Sequence, residues 1–143
     1  MRILGLDVGS KTIGVAVSDA LKLTAQGITT IYWDENDMSS ADRQLKTIIE
    51  EYEISQIIVG LPKNMDGTIG ERGEISKIYA RRMERNFQIP VHLVDERLST
   101  VAAEKTLLEA DMSRKKRQQV IDKMAAVVIL QMFLDQENKG GLQ

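Results

Sequence analysis

The chain has 143 residues, enough for one domain that buries a sizeable core. It carries no cysteine, which excludes disulfides, thiolate zinc sites and cysteine nucleophiles. A single histidine, His92, excludes a multi-histidine metal site, and a net charge of −2 gives no global attraction to nucleic acid.

Any chemistry must therefore come from carboxylates, Lys, Arg and hydroxyls. The apolar run from Ile3 is interrupted by Asp7, so the N-terminus does not read as a signal peptide. The longest uninterrupted apolar run, Met124 to Leu130, is far too short to span a bilayer. These features lead us to expect a cytoplasmic protein with no membrane association.

Ile3, Leu4, Leu6 and Val8 read as a buried strand, and Ile13, Val15 and Val17 alternate as a second. Gly9-Ser10-Lys11 is about the length of a hairpin turn, so the two strands are expected to pair antiparallel. Thr24 to Trp33 is rich in β-formers and reads as a third strand. Ser39-x-x-Asp42 matches a capping box opening a helix with Leu45, Ile48 and Ile49 on its apolar face. Gln56 to Leu61 reads as a central strand buried on both faces, ended by Pro62. Lys63 to Gly70 is a loop.

A second helix is predicted from about Glu71 to Phe87, with Ile75, Ile78, Tyr79, Arg82 and Met83 along one side. Val91 to Val94 is a short strand stopping at Asp95-Glu96-Arg97. Ser99 or Thr100 can cap a third helix through Ala110, and a long last helix is expected from roughly Lys115 to Gln136. Residues 1–137 thus form one domain, and 138–143 a frayed tail. The order βββ-α-β-α-β-α-α describes an α/β fold whose first three strands are antiparallel and whose later ones are parallel.

Three acidic positions stand where charge is costly. Asp7 is near the end of a hydrophobic strand, and Asp95-Glu96 lies just past the last one. In open α/β sheets ligands bind beyond the carboxyl ends of the strands. Asp122 shares a helical face with Ala125, Ala126, Ile129 and Phe133. Each also has a plain structural reading: Asp7 as a turn residue, Asp95-Glu96 as the charge at a helix start, Asp122 as a helix-dipole partner. Their coincidence suggests a shared cation. With no His or Cys nearby, hard oxygen ligands favour Mg²⁺ or Mn²⁺, and such sites catalyse phosphoryl transfer.

Leu6 to Ser18, Ile58 to Gly67, Asp95 to Thr100 and Asp122 to Ala126 resemble the signature blocks of the YqgF/RuvX family, Holliday-junction-resolvase-like proteins associated with pre-16S rRNA processing. The resemblance runs from about residue 2 to 134. It implies an RNase H-like fold with a five-stranded mixed sheet flanked by helices, and a metal-dependent endonuclease in ribosome biogenesis. It also implies three catalytic, metal-holding acids at Asp7, Glu96 and Asp122, with Asp95 second to Glu96. Unlike better-studied resolvases of that fold, the chain has Gly60-Leu61-Pro62, and no acid, at the end of the central strand.

On the substrate side, Arg114-Lys115-Lys116-Arg117 is the only dense basic run, readable as a phosphate contact or as a solvated face. Lys11, Arg97 and the loop with Asn64, Asp66 and Gly67 are further candidates. His92 reads as structural. Structured RNA is the expected partner, with branched DNA as the nearest alternative, and the chain is expected to be a monomer or a homodimer. Two other readings remain open at this level. Asp-x-Gly before Ser/Thr also opens the phosphate loop of actin-like kinases, which need two related domains. A non-catalytic RNA-binding factor could keep the same fold.

Overall fold

The computed structural model describes residues 1–96 and 114–141, with side chains for 1–96 and 123–138. Five strands, β1 (Arg2–Val8), β2 (Thr12–Ser18), β3 (Ala25–Tyr32), β4 (Ile54–Leu61) and β5 (Val91–Asp95), form one sheet in the order β3-β2-β1-β4-β5. β1 pairs antiparallel with β2, and β2 with β3. β1 pairs parallel with β4, and β4 with β5. This is the mixed sheet that the strand order predicts. The strand at its centre is β1, and β4 lies one place further out.

The described helices are α1 (Asp42–Glu51), α2 (Glu71–Phe87) and α3 (Arg114–Gly141). Strand alternation divides the core in two. Leu4, Leu6 and Val8 of β1 join Ile57 and Val59 of β4 in a large cluster under α1 and α2, with Leu45, Tyr79 and Met83. Ile3 of β1 and Ile58 of β4 point the other way, to Ala125, Ala126, Ile129, Leu130 and Leu134 of α3.

Several local expectations are corrected. The capping box does not form: a 3₁₀ turn, Met38–Ala41, precedes α1, whose N-cap is Ala41 with no side-chain cap. Ser39 Oγ instead donates to Asp37 Oδ1, and Asp42 is taken by an ion pair with Arg82 of α2. The buried face of α2 is also rotated from the predicted one. Gly73, Ser76, Tyr79, Ala80 and Met83 face the sheet, and Ile78 is 49% exposed. Gly73 permits this, because a Cβ there would lie 2.6 Å from the Pro62 carbonyl.

α3 starts at Arg114 and continues past Gln136 to Gly141. Asn138 Nδ2 donates to the Lys22 carbonyl at 3.0 Å, and Gln131 ties to Leu23 and Ala25, which fastens that end to the β2–β3 loop. The predicted helix from Ser99 or Thr100 to Ala110 lies outside the described residues.

Candidate active site

Asp7 shares its strand face with Ile3 and Gly5, the α3 face. It is 6% exposed on a strand buried along almost its whole length. A carboxylate so placed carries a desolvation cost of several kcal/mol unless a partner meets it.

The second acid arrives from β5. Val94 packs with the α3-side cluster. Asp95 is paired in register with Leu61 and so faces the other side, where Lys63 Nζ lies 3.6 Å from Oδ2. Glu96, one residue on, returns to the α3 side. Its carboxylate lies over Gly60 of β4: a Cβ on Gly60 would fall 2.5 Å from Glu96 Oε1 and 2.6 Å from Ile129 Cδ1.

β1 and β4 run in parallel register up to Leu6↔Val59, so Gly60 comes level with Asp7 on the neighbouring strand. The Glu96 carboxylate thus rests beside the Asp7 position, across roughly one strand spacing of about 4.8 Å. Glycine inside a strand signals a close approach. Gly60 was legible in that sense, yet it stood out in the sequence only as a missing acid. Its function in the fold is to seat an acid supplied by another segment.

The third acid belongs to α3. A Cβ on Gly5 would lie 2.8 Å from Leu130 Cβ and 3.3 Å from the Ala126 carbonyl, so the helix backbone passes directly over β1. Leu134 packs with Ile3 at the start of β1, and Ala126 lies over Gly5, so α3 runs antiparallel to β1. Asp122 is one turn N-terminal of Ala126, at the level toward which Asp7 lies. The side chain of Asp122 is outside the described residues.

Among the other candidates, Lys11 is exposed in the β1–β2 turn, past the Val8↔Ile13 pair that follows Asp7. Asn64 braces its own loop: its N–H and Nδ2 donate to Thr68 O and Oγ1, and its carbonyl accepts from Gly67. Asp66 Oδ1 accepts from Thr68, and Gly67 takes φ 91°, closing a tight turn at the end of β4. Arg114 to Arg117 form the first turn of α3, with side chains outside the described residues, as is Arg97 altogether. His92 is exposed on β5 and stacks on Phe133, with ring centroids 6.0 Å apart. The donor set that the described residues bring together, Asp7 and Glu96, is all carboxylate oxygen, which fits a hard divalent cation.

A five-stranded mixed sheet in this order, with acids on its central strand and closing helix, defines an RNase H-like fold of the resolvase type. Among solved structures, Thermus thermophilus RuvC in complex with Holliday junction substrate matches with a TM-score of 0.57, at 10% identity over 96% of both chains. The fowlpox virus Holliday junction resolvase matches at 0.51, with 17% identity over the full length of both. At such identities the likeness concerns the fold alone.

The sequence comparisons go further. The family model described as "RuvX: Holliday junction resolvase" matches residues 1–136. A protein of Oceanobacillus iheyensis named "Putative pre-16S rRNA nuclease" is 71% identical over 137 residues, 96% of this chain and 100% of the relative. A Listeria monocytogenes protein of the same name is 59% identical over 138 residues, again 96% and 100% of the two chains. The chain belongs to the RuvX family.

Proposed function

We propose that this protein is a divalent-metal-dependent endonuclease that hydrolyses phosphodiester bonds in structured RNA, with the precursor of 16S rRNA as its target. The supporting observation is the Glu96 carboxylate seated over Gly60 beside buried Asp7, two acids from distant segments on one face. The names of the full-length relatives support the RNA target.

Asp7, Glu96 and Asp122 would hold Mg²⁺ or Mn²⁺, which when bound supplies Lewis acidity at a phosphate oxygen and a more acidic water. Glu96 Oε1, at the open end of β4, is suited to orient the attacking water through a hydrogen bond. Asp7, buried on a paired strand, would offer its carboxylate from a rigid position. The water oxygen bonds to phosphorus as the bond to one ester oxygen breaks, leaving a phosphate on one product end and a hydroxyl on the other. Lys11, Arg97 and Arg114 to Arg117 would offset phosphate charge, and the turn at Asn64 would present backbone to the strand.

The test is cleavage of pre-16S rRNA, four-way DNA junctions and single-stranded RNA, with and without Mn²⁺, by wild type and Asp7→Asn. We expect cleavage of the precursor RNA by wild type and a loss of at least about 100-fold in the variant at unchanged circular dichroism. Undiminished cleavage by folded Asp7→Asn would refute the assignment. Preference for junctions would move the substrate to DNA.

A further inference from the structure

We propose that Arg72 and Trp33 are positioning residues that fix the end of β1, and through it the Asp7 carboxylate and Lys11, from the opposite side of the sheet; the inference rests on the nuclease reading above. β1 pairs with β4 only as far as Leu6↔Val59. Past that last pair the Val8 carbonyl accepts from Arg72 Nη2 at 3.2 Å, so an α2 side chain holds the end of β1 beyond its ladder with β4. The guanidinium is aimed by an ion pair with Glu35, in the segment after β3.

The next carbonyl is held as well. Gly9 O accepts from Trp33 Nε1 at 2.9 Å, and Lys11 O from the Trp33 amide at 3.0 Å. The Gly9 amide closes the turn onto Thr12 O at 2.8 Å. That closure requires glycine, because a Cβ there would lie 2.9 Å from the same oxygen. Trp33 cannot swing away: it is 7% exposed and sits edge-on to Tyr79, with centroids 4.9 Å apart and planes at 61°. Both residues that follow Asp7 are therefore anchored through their carbonyls to groups of the α1/α2 layer, while Asp7 itself faces α3. One side of the strand is gripped so that the other side can present a charge at a fixed point.

A purely stabilising role accounts poorly for Arg72. The Arg72 side chain is 38% exposed, and partly exposed ion pairs contribute little to folding. Arg82, ten residues on in the same helix, makes the same kind of pair with Asp42 but lies against α1, away from the β1 turn. It is the natural control. Misplacement of a reactive group by about 1 Å can cost about 100-fold in rate.

Full-length Arg72→Met, Arg72→Lys, Trp33→Phe and Arg82→Met should be compared with wild type and Asp7→Asn. The readouts are thermal unfolding, deuterium exchange of the 8–12 segment, calorimetric Mn²⁺ binding and cleavage. We expect Arg72→Met and Trp33→Phe to keep the fold, to exchange faster at 8–12, to bind Mn²⁺ at least about 5-fold more weakly and to lower kcat about 10- to 100-fold. Arg72→Lys should recover part of each loss. Arg82→Met should change Tm only slightly and leave Mn²⁺ binding unchanged.

The proposal is overturned if folded Arg72→Met binds Mn²⁺ and exchanges like wild type, or if Arg82→Met weakens Mn²⁺ binding equally. Should wild type bind Mn²⁺ through Asp7 yet cleave none of the nucleic acids, the nuclease reading fails. The binding and exchange measurements then still decide the role of the two residues.

Discussion

The two faces of one sheet are built from different materials. Beneath α1 and α2 the strands present Leu4, Leu6, Val15, Ile57 and Val59 to Leu45, Tyr79 and Met83, all buried large side chains that fill the space between layers. Beneath α3, Ile3 and Ile58 are interspersed with Gly5, Ala16 and Gly60, and at Gly5 the helix closes until a Cβ would lie 3.3 Å from the Ala126 carbonyl. Large side chains hold layers apart at about 10 Å, whereas small ones let them close. The first face thus supplies burial. The second sacrifices apolar bulk so that a helix can descend to where Asp7 lies and the Glu96 carboxylate can rest on a glycine. On the proposed site, stability and chemistry are divided between the sides of a single set of strands, with β1 serving both.

If that division is real, a side chain added under α3 should disrupt the protein more than its size suggests. Gly5→Val is the severest case, because its first carbon meets Leu130 Cβ at 2.8 Å and the Ala126 carbonyl at 3.3 Å, and backbone cannot yield as a rotamer can. Overpacking of this kind costs roughly 2–3 kcal/mol. Lifting α3 would also displace Asp122, a proposed metal ligand, so denaturant unfolding and cleavage should both report the loss. Wild-type stability for Gly5→Val would mean that the close helix contact is unimportant.

Gly60→Ala separates the two effects. Its Cβ would collide with Glu96 Oε1 at 2.5 Å and Ile129 Cδ1 at 2.6 Å, both far ends of flexible side chains. The fold should accommodate it with a change in Tm of a few degrees, while the displaced carboxylate lowers cleavage about 10-fold or more. The expected signature is activity loss at near-constant Tm, the reverse weighting of Gly5→Val. Equal loss of both would erase the distinction between a packing glycine and a seating glycine.

Much of this organisation can be read in the residues, and the limits follow from physics. β1, β4 and the start of α2 are legible because buried strands and a glycine before Glu71 leave strong local patterns. Asp7 is legible because a charge on an apolar strand is anomalous. The face of α2 is not, since Ile78 looks apolar in isolation and only the close fit at Gly73 rotates the helix away from it. The capping box at Ser39 fails for a related reason: Asp42 has a better partner in Arg82, forty residues away, which no local pattern contains. Arg72 and Trp33 were invisible as functional residues because their acceptors are backbone carbonyls, and any residue can supply one.

The filled face yields a subtler test. Tyr79 is fully buried between Trp33 and α1, and its hydroxyl has no hydrogen-bond partner among the described residues. Burial, reinforced by the Asp42 carboxylate, raises the phenol well above its ordinary value, so it stays neutral at any physiological pH. A buried hydroxyl without a partner is a liability, and Tyr79→Phe should therefore be neutral or slightly stabilising, within about 1 kcal/mol. Cleavage should be unaffected, because the ring that supports Trp33 remains. A large destabilisation would reveal a water-bridged network between α1 and α2.

The smallest effect is expected at the far end of the sheet, where the site has no influence. Asp19 accepts from the Thr24 and Leu23 amides, at 3.0 and 2.7 Å, and these bonds lower its pKa below the ordinary carboxylate value. A pKa lowered by folding means that the ionised form is preferred in the native state. Its contribution is then complete above the unfolded value of about 4 and fades as the pH falls through the lowered native value. Because the group is open to solvent, the change should be slight. Comparing Tm for wild type and Asp19→Ala between pH 7 and pH 3 should show a small gap near neutrality that narrows in acid. A gap that widened as the pH fell would contradict the sign. Cleavage at neutral pH should be the same in both proteins, since this loop is tied to the C-terminal end of α3 through Gln131 and Asn138 and lies at the opposite end of β1 from Asp7.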